Sequence, residues 1–160
     1  MARLEAGDKA PAFSLPDQDG KKVGLKDLKG APAVVYFYPA DDTPGCTKEA
    51  CQFNENLTTF SRSGVKVVGI SPDGAIKHQR FRQKYGLKFP LLSDPEHHTM
   101  EAFGAWGEKT MYGRKTVGVI RSTFLLDEKG AVARAWYNVR ADGHAEKVLE
   151  EIKASKKKKK

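Results

Sequence analysis

The chain has 160 residues, 39% of them hydrophobic and 30% charged, with a formal net charge of +8. That composition excludes a disordered or fibrous protein, and the lack of any apolar run of about 18 residues gives no reason to expect a membrane span. A chain this long buries roughly 70% of its unfolded surface, enough for one self-sufficient core.

Met1–Ala10 is polar, without the basic-then-apolar pattern of a targeting peptide, so the cytoplasm is the expected location. A hairpin over Ala12–Leu15 and Lys22–Leu25, turning at Asp19-Gly20, comes first. Ala33 to Tyr38 is a continuous apolar run between Pro32 and Pro39, the pattern of a strand buried on both faces. A helix is expected from Pro44 to Ser61, and a second buried strand from Val65 to Ile70. The next helix, Ala75 to Tyr85, turns Ile76, Phe81 and Tyr85 toward the core. Leu91-Leu92 reads as a short strand and His97 to Phe103 as a short helix.

Gly104 to Gly118 reads as an aromatic, basic loop. Ile120 to Leu126 and Ala131 to Tyr137 pair through Asp127-Glu128-Lys129-Gly130, and a helix from Gly143 to Ala154 follows. Trp106, Tyr112 and Trp136 read as core residues, oligomer contacts or a reductase docking surface, core being the commonest fate of such aromatics, and His78 and His144 read as surface residues. This order implies an α/β sandwich with a parallel portion and an antiparallel hairpin edge. Lys156 to Lys160 carry five of the eight net charges and have nothing apolar to bury. The expectation is one domain over residues 1–155 and a disordered tail over 156–160, with no specific nucleic-acid partner.

The only cysteines are Cys46 and Cys51. Cys-x4-Cys is not the Cys-x-x-Cys of a zinc half-site or a dithiol oxidoreductase. The nearest further metal ligands, His97 and His98, would point about 100° apart on a helix. Two inert buried thiols remain open on these grounds. Thr43-Pro44 is a helix-start signature, a hydroxyl at the N-cap followed by proline at N1. Cys46 then falls at N3, where unpaired backbone N–H groups and the positive end of the helix dipole favour a thiolate. Cys46, Ala50, Phe53, Leu57 and Phe60 form the buried stripe of that helix, and Cys51 lies one residue off it. Residues five apart on an intact helix are about 7.5 Å apart along the axis, whereas disulfides want Cα atoms within about 4.4–6.8 Å. The two thiols can pair only if the first turn and a half unwinds.

Pro39-x-x-x-Thr43-x-x-Cys46, after a buried strand and opening a helix, resembles the active-site signature of the peroxiredoxins. Tyr36-Phe37-Tyr38-Pro39 through Cys51-Gln52-Phe53 is similar to their peroxiredoxin Q branch, also called bacterioferritin comigratory protein. The likeness extends from Gly7 to Phe13, through Arg121 to Asp127, and into the final helix. The resemblance implies a thioredoxin-like fold, with a central mixed β-sheet flanked by helices and an N-terminal β-hairpin. It implies a thiol peroxidase for hydrogen peroxide and organic hydroperoxides that needs no metal, haem or flavin.

In that reading Cys46 is the peroxidatic cysteine, Thr43 bonds to thiolate and peroxide, and Pro39 shields the sulfur from water. Arg121 holds the thiolate and polarises the peroxide. Cys51 is the resolving cysteine of an intramolecular disulfide, recycled by thioredoxin or a similar dithiol protein. Glu49 is either a partner of the arginine or a solvated helix residue. Members of the branch are often monomers. Two rivals make different demands: a disulfide oxidoreductase would not react rapidly with peroxide, and a binding module using the lysine tail would not need Cys46.

Overall fold

The computed structural model describes residues 3–111 and 113–158. Five strands form one mixed sheet in the order β5-β4-β3-β8-β9. The central strand β3 (Ala33–Phe37) runs parallel to β4 (Lys66–Ser71), which runs parallel to β5 (Leu91–Ser93). On its other side β3 pairs antiparallel with β8 (Ser122–Leu126), and β8 with β9 (Val132–Tyr137). The N-terminal hairpin joins β1 (Ser14–Pro16) and β2 (Lys22–Gly24).

The apolar run in β3 is continuous because both of its faces are covered. Val34, Tyr36 and Tyr38 belong to one core cluster, while Ala33, Val35 and Phe37 belong to another. The first cluster packs under α2 (Pro44–Glu55), α3 (Leu57–Arg62), α4 (Ala75–Tyr85) and α6 (His144–Lys158). The second packs against α1 (Leu25–Leu28) and α5 (His98–Ala102). Tyr36 stacks on Phe53 with ring centroids 4.6 Å apart, seating α2 over the central strand. Among the described residues no helix is long and apolar enough to cross a membrane.

Several local expectations need correction. The long helix breaks at Asn56, whose side-chain amide donates to the Gln52 carbonyl at 2.8 Å and competes with the backbone for it. The second hairpin strand stops at Gly24 because Asp27 accepts from the Gly24 amide at 2.8 Å and starts α1. A Cβ at Gly24 would lie 2.3 Å from the Phe13 carbonyl oxygen, so only glycine permits that approach. Ile76 is 67% exposed, whereas His78 is fully buried. The buried side of α4 runs through His78 and Phe81, and Ile76 lies about 200° around the helix from His78.

The stretch read as a loop is a hairpin of β6 (Trp106–Met111) and β7 (Arg114–Val119). Its β7 residues Arg114 to Val117 are exposed, so no alternation of buried apolar residues marks the strand. Trp106 is half-buried and stacks on His97 at 3.7 Å, Trp136 is half-buried, and Tyr112 lies outside the described residues. The final helix runs to Lys158, beyond the expected end at Ala154. Lysine is a good helix former, and cations suit a helix C-terminus. Lys159 and Lys160 lie outside the described residues.

Candidate active site

The site forms where β3 ends and α2 begins. Tyr38 continues the strand, its amide donating to the Ile70 carbonyl at 3.1 Å, and Pro39 has no N–H with which to extend the ladder. Thr43 is the N-cap of α2 and Pro44 its N1 residue, which puts Cys46 at N3. The Thr43 hydroxyl makes no capping bond. It donates instead to the Ala40 carbonyl at 3.0 Å. With its proton committed there, the oxygen keeps lone pairs with which to accept a further hydrogen bond.

The Thr47 amide makes the first turn's bond, to the Thr43 carbonyl at 2.8 Å. The Gly45 and Cys46 N–H groups ahead of it have no intrahelical acceptor. Cys46 is 1% exposed, Cys51 is partly buried, and both are free thiols on one intact helix.

Arg121 reaches the site from the segment just before β8. Its Nη2 donates to Cys46 Sγ at 3.3 Å and its Nη1 to Glu49 Oε1 at 2.7 Å. The Glu49 side chain is completely buried and that of Arg121 is 18% exposed. Glu49 therefore is no solvated helix residue: it lies one turn after Cys46 and turns the guanidinium toward the sulfur. A Cβ at Gly45 would sit 3.2 Å from Arg121 Nη2, so a larger residue there crowds the contact.

Burial pushes the Glu49 carboxyl up to about 7, against the pull of Arg121. Burial opposes the Arg121 charge, yet Glu49 and Cys46 together hold its pKa above the ordinary value. Burial, and then the Glu55 carboxylate, push the Cys51 thiol up.

A second layer beneath the loop was invisible in the motif. Asp41 accepts from the Tyr38 hydroxyl at 2.5 Å, and its other oxygen lies 2.6 Å from His78 Nδ1. The Asp41 amide donates to Asp73 at 2.6 Å. Asp42, in the left-handed region at φ 58°, accepts from Lys84 at 2.8 Å and from the Tyr85 hydroxyl at 2.7 Å. Buried His78 and α4 thus fasten the turn that carries Thr43. Only the Asp-Asp pair before Thr43, a pattern suited to turns, hinted at this in the sequence.

His144 is also buried, with Nε2 2.8 Å from Thr123 Oγ1 and its ring edge-on to Phe53 and Trp136. Burial, with Lys147 and Arg121 nearby, pushes it down to about 4 from an ordinary 6.5. Its neutral form is favoured by folding, so this contribution is present above pH 6.5 and is lost as pH falls toward 4. Glu49, held above its ordinary value, acts in the opposite direction between pH 4.5 and 7. The comparison that isolates His144 is parent against His144→Gln. Urea unfolding at pH 7 and pH 4 is expected to show the parent losing about 2–3 kcal/mol more than the variant. Equal losses would remove His144 from the acid response.

Among the described residues no three His, Cys, Asp or Glu side chains gather as a metal site. A cavity of about 510 Å³ lined by Leu28, Leu57, Val65, Val67 and Phe89 holds none of the site residues. It lies near Lys66, which pairs with Ala33 at the far end of the central strands.

Residues 6–135 match the AhpC/TSA family. The chain is 55% identical to a putative peroxiredoxin of Mycobacterium tuberculosis over 150 residues, 94% of this chain and 96% of that protein. It is 44% identical to peroxiredoxin Bcp of Escherichia coli over 153 residues, 96% and 98% of the two chains. A solved structure of peroxiredoxin Q from Xylella fastidiosa aligns with TM-score 0.90 at 35% identity, covering 97% and 99% of the two chains. The Xanthomonas campestris bacterioferritin comigratory protein, solved in trapped intermediate and ligand complexes bearing on its alkyl peroxide reduction, aligns with TM-score 0.87 at 40% identity. That alignment covers 94% of this chain and 99% of the other. The mixed sheet, the hairpin before it and these likenesses agree: the chain has the thioredoxin-like fold and belongs to the AhpC/TSA family, as a peroxiredoxin of the Q or bacterioferritin comigratory branch.

Proposed function

We propose that this thiol peroxidase works through Cys46 as peroxidatic cysteine and Cys51 as resolving cysteine, with Thr43, Arg121 and Pro39 shaping the site. The observation that carries the assignment is the Arg121 fork, one nitrogen on Cys46 Sγ and the other on buried Glu49. The Cys46 thiolate attacks the terminal oxygen of a hydroperoxide, the O–O bond breaks, and the sulfur becomes a sulfenic acid. The leaving alkoxide or hydroxide takes a proton and departs as alcohol or water. Thr43 accepts from the peroxide O–H, while the Gly45 and Cys46 amides and Arg121 face the charge moving onto oxygen. Pro39, half-buried at the strand end, limits water beside the sulfur.

Resolution follows. The Cys51 thiol attacks the sulfenic sulfur, an S–S bond forms, the S–O bond breaks, and water leaves with the Cys51 proton. On the intact α2 the two residues are about 7.5 Å apart along the axis, so this step needs the turn between them to open. Both thiols come from one helix, so no second subunit has to supply either, and the working unit is a monomer. The reductant is thioredoxin or a similar dithiol protein, and a chain that must return to the dithiol state suits the reducing cytoplasm.

The test is a coupled assay with thioredoxin, its reductase and NADPH, run on the parent and on Cys51→Ser. The parent is expected to consume NADPH with hydroperoxide present. Cys51→Ser is expected to react once, gain about 16 Da as a sulfenic acid and then stall, with overoxidation at excess peroxide. Normal cycling by Cys51→Ser would move the resolving role elsewhere. A parent that consumes peroxide with small dithiols only would exclude thioredoxin as its partner.

A further inference from the structure

The turn that must open is held on its buried side by the Arg121 fork to Cys46 and Glu49, and on its outer side by a second side-chain clamp. Gln52 Nε2 donates to Asp142 Oδ1 at 2.8 Å, and Gln52 Oε1 accepts from the Gly143 amide at 2.8 Å. Lys48, one helical turn earlier on the same face, lies 3.7 Å from Asp142 Oδ2. The two oxygens of a single carboxylate therefore bridge positions 48 and 52. That span contains Cys51 and begins two residues after Cys46.

The second half of α2 is secured differently. Asn54 donates to the Gly86 carbonyl at 3.0 Å and accepts from the Lys88 amide at 2.9 Å, and Phe53 is fully buried. The Lys48 and Asp142 side chains are 57% and 70% exposed, and Gln52 is half-buried. They can let go without uncovering core.

From this juxtaposition we propose that Gln52 and Asp142 are positioning residues that hold the Cys46–Cys51 turn closed and so set how long the sulfenic acid persists before Cys51 reaches it. The proposal rests on the disulfide reading above. With the clamp closed, Cys46 keeps Arg121 and the first-turn amides, which favours the peroxide step. Releasing Gln52 from Asp142 and Gly143 removes one of the two ties on the turn and raises the opened fraction, which sets the rate of S–S formation. The sulfenic acid has two fates, condensation with Cys51 or a second peroxide giving sulfinic acid. The clamp divides material between them.

Gln52→Ala removes both bonds, and Asp142→Ala removes the carboxylate that Gln52 and Lys48 share. For hydrogen bonds at the surface, one exposed and one part-buried, we expect disulfide formation to accelerate about three- to tenfold in each variant. The first reaction with peroxide stays within about twofold of the parent. The peroxide concentration that overoxidises half the protein rises by the same factor as the second step. The measurement is rapid-quench mixing of reduced protein with hydrogen peroxide, intact mass separating sulfenic acid, disulfide and sulfinic acid, and circular dichroism monitoring the fold.

Because the two residues act as one clamp, the double variant is expected to be little faster than the faster single one. Unchanged or slower disulfide formation in both single variants, with the fold retained, overturns the clamp. So does acceleration of both steps together, which marks general loosening. A parent that forms no disulfide overturns the underlying assignment as well, and that outcome is visible before any variant is made.

Discussion

Cys46→Ser is expected to abolish hydroperoxide turnover while leaving the protein folded. Serine is nearly isosteric, its hydroxyl remains in reach of Arg121 Nη2, and the proline and threonine that start α2 are untouched. What disappears is the nucleophile. Attack on a peroxide oxygen needs an ionised, polarisable sulfur, whereas a serine hydroxyl at neutral pH is protonated, and its side-chain neighbour among the described residues is the Arg121 cation, which is no base. The positioned donors remain, but with no thiolate they have no developing charge to stabilise. The coupled assay checks this, with circular dichroism as control for the fold. Turnover above the background of free thiols would place the nucleophile on the only other cysteine, Cys51.

Arg121→Ala is the second large effect, an expected loss of about 10²–10³-fold in the rate of the first peroxide step. Two causes combine. The fork to Cys46 is lost, and Glu49, completely buried, loses the cation that opposes its desolvation. A buried carboxylate without its partner destabilises the fold or takes up a proton, so the alanine variant alone would confound site and stability. Arg121→Lys resolves this. Its single ammonium keeps the charge beside Glu49 but cannot span both the carboxylate and the sulfur as a planar fork does. Lysine is expected to recover most of the stability and little of the rate. Stopped-flow kinetics and urea unfolding on both variants separate the two quantities. An unchanged rate in Arg121→Ala would remove the arginine from the site.

The motif carried the site a long way because most of it is local. Pro39, Thr43 and Cys46 lie within one strand-to-helix turn, and the Thr-Pro helix start fixes Cys46 at N3 without any tertiary information. Arg121 is 75 residues from Cys46, so its contact depends on β3 pairing with β8. Only the resemblance connected the two in the sequence. Glu49 stood between two readings for a related reason: position on the helix places it near the sulfur, but its burial comes from the chain that covers α2.

His78 and His144 were misread because a histidine's burial is decided by its acceptors. Asp41 and the Leu92 carbonyl satisfy one ring, and Thr123 accompanies the other. None of these partners is adjacent in sequence. The β6–β7 hairpin escaped for the opposite reason, since a strand with solvent on its residues carries little of the alternation that marks a strand half-buried in a core. The clamp on α2 was equally silent, because Gln52 and Asp142 are ordinary polar residues until the fold brings them together.

The central claim is that Cys46 and Cys51 form one redox couple on a helix that opens between them. The most direct measurement is to mix fully reduced protein with one equivalent of hydrogen peroxide, count free thiols over seconds and record intact mass without reductant. Loss of both thiols with a decrease of about 2 Da on a single chain is the predicted result. Survival of both thiols would contradict the claim.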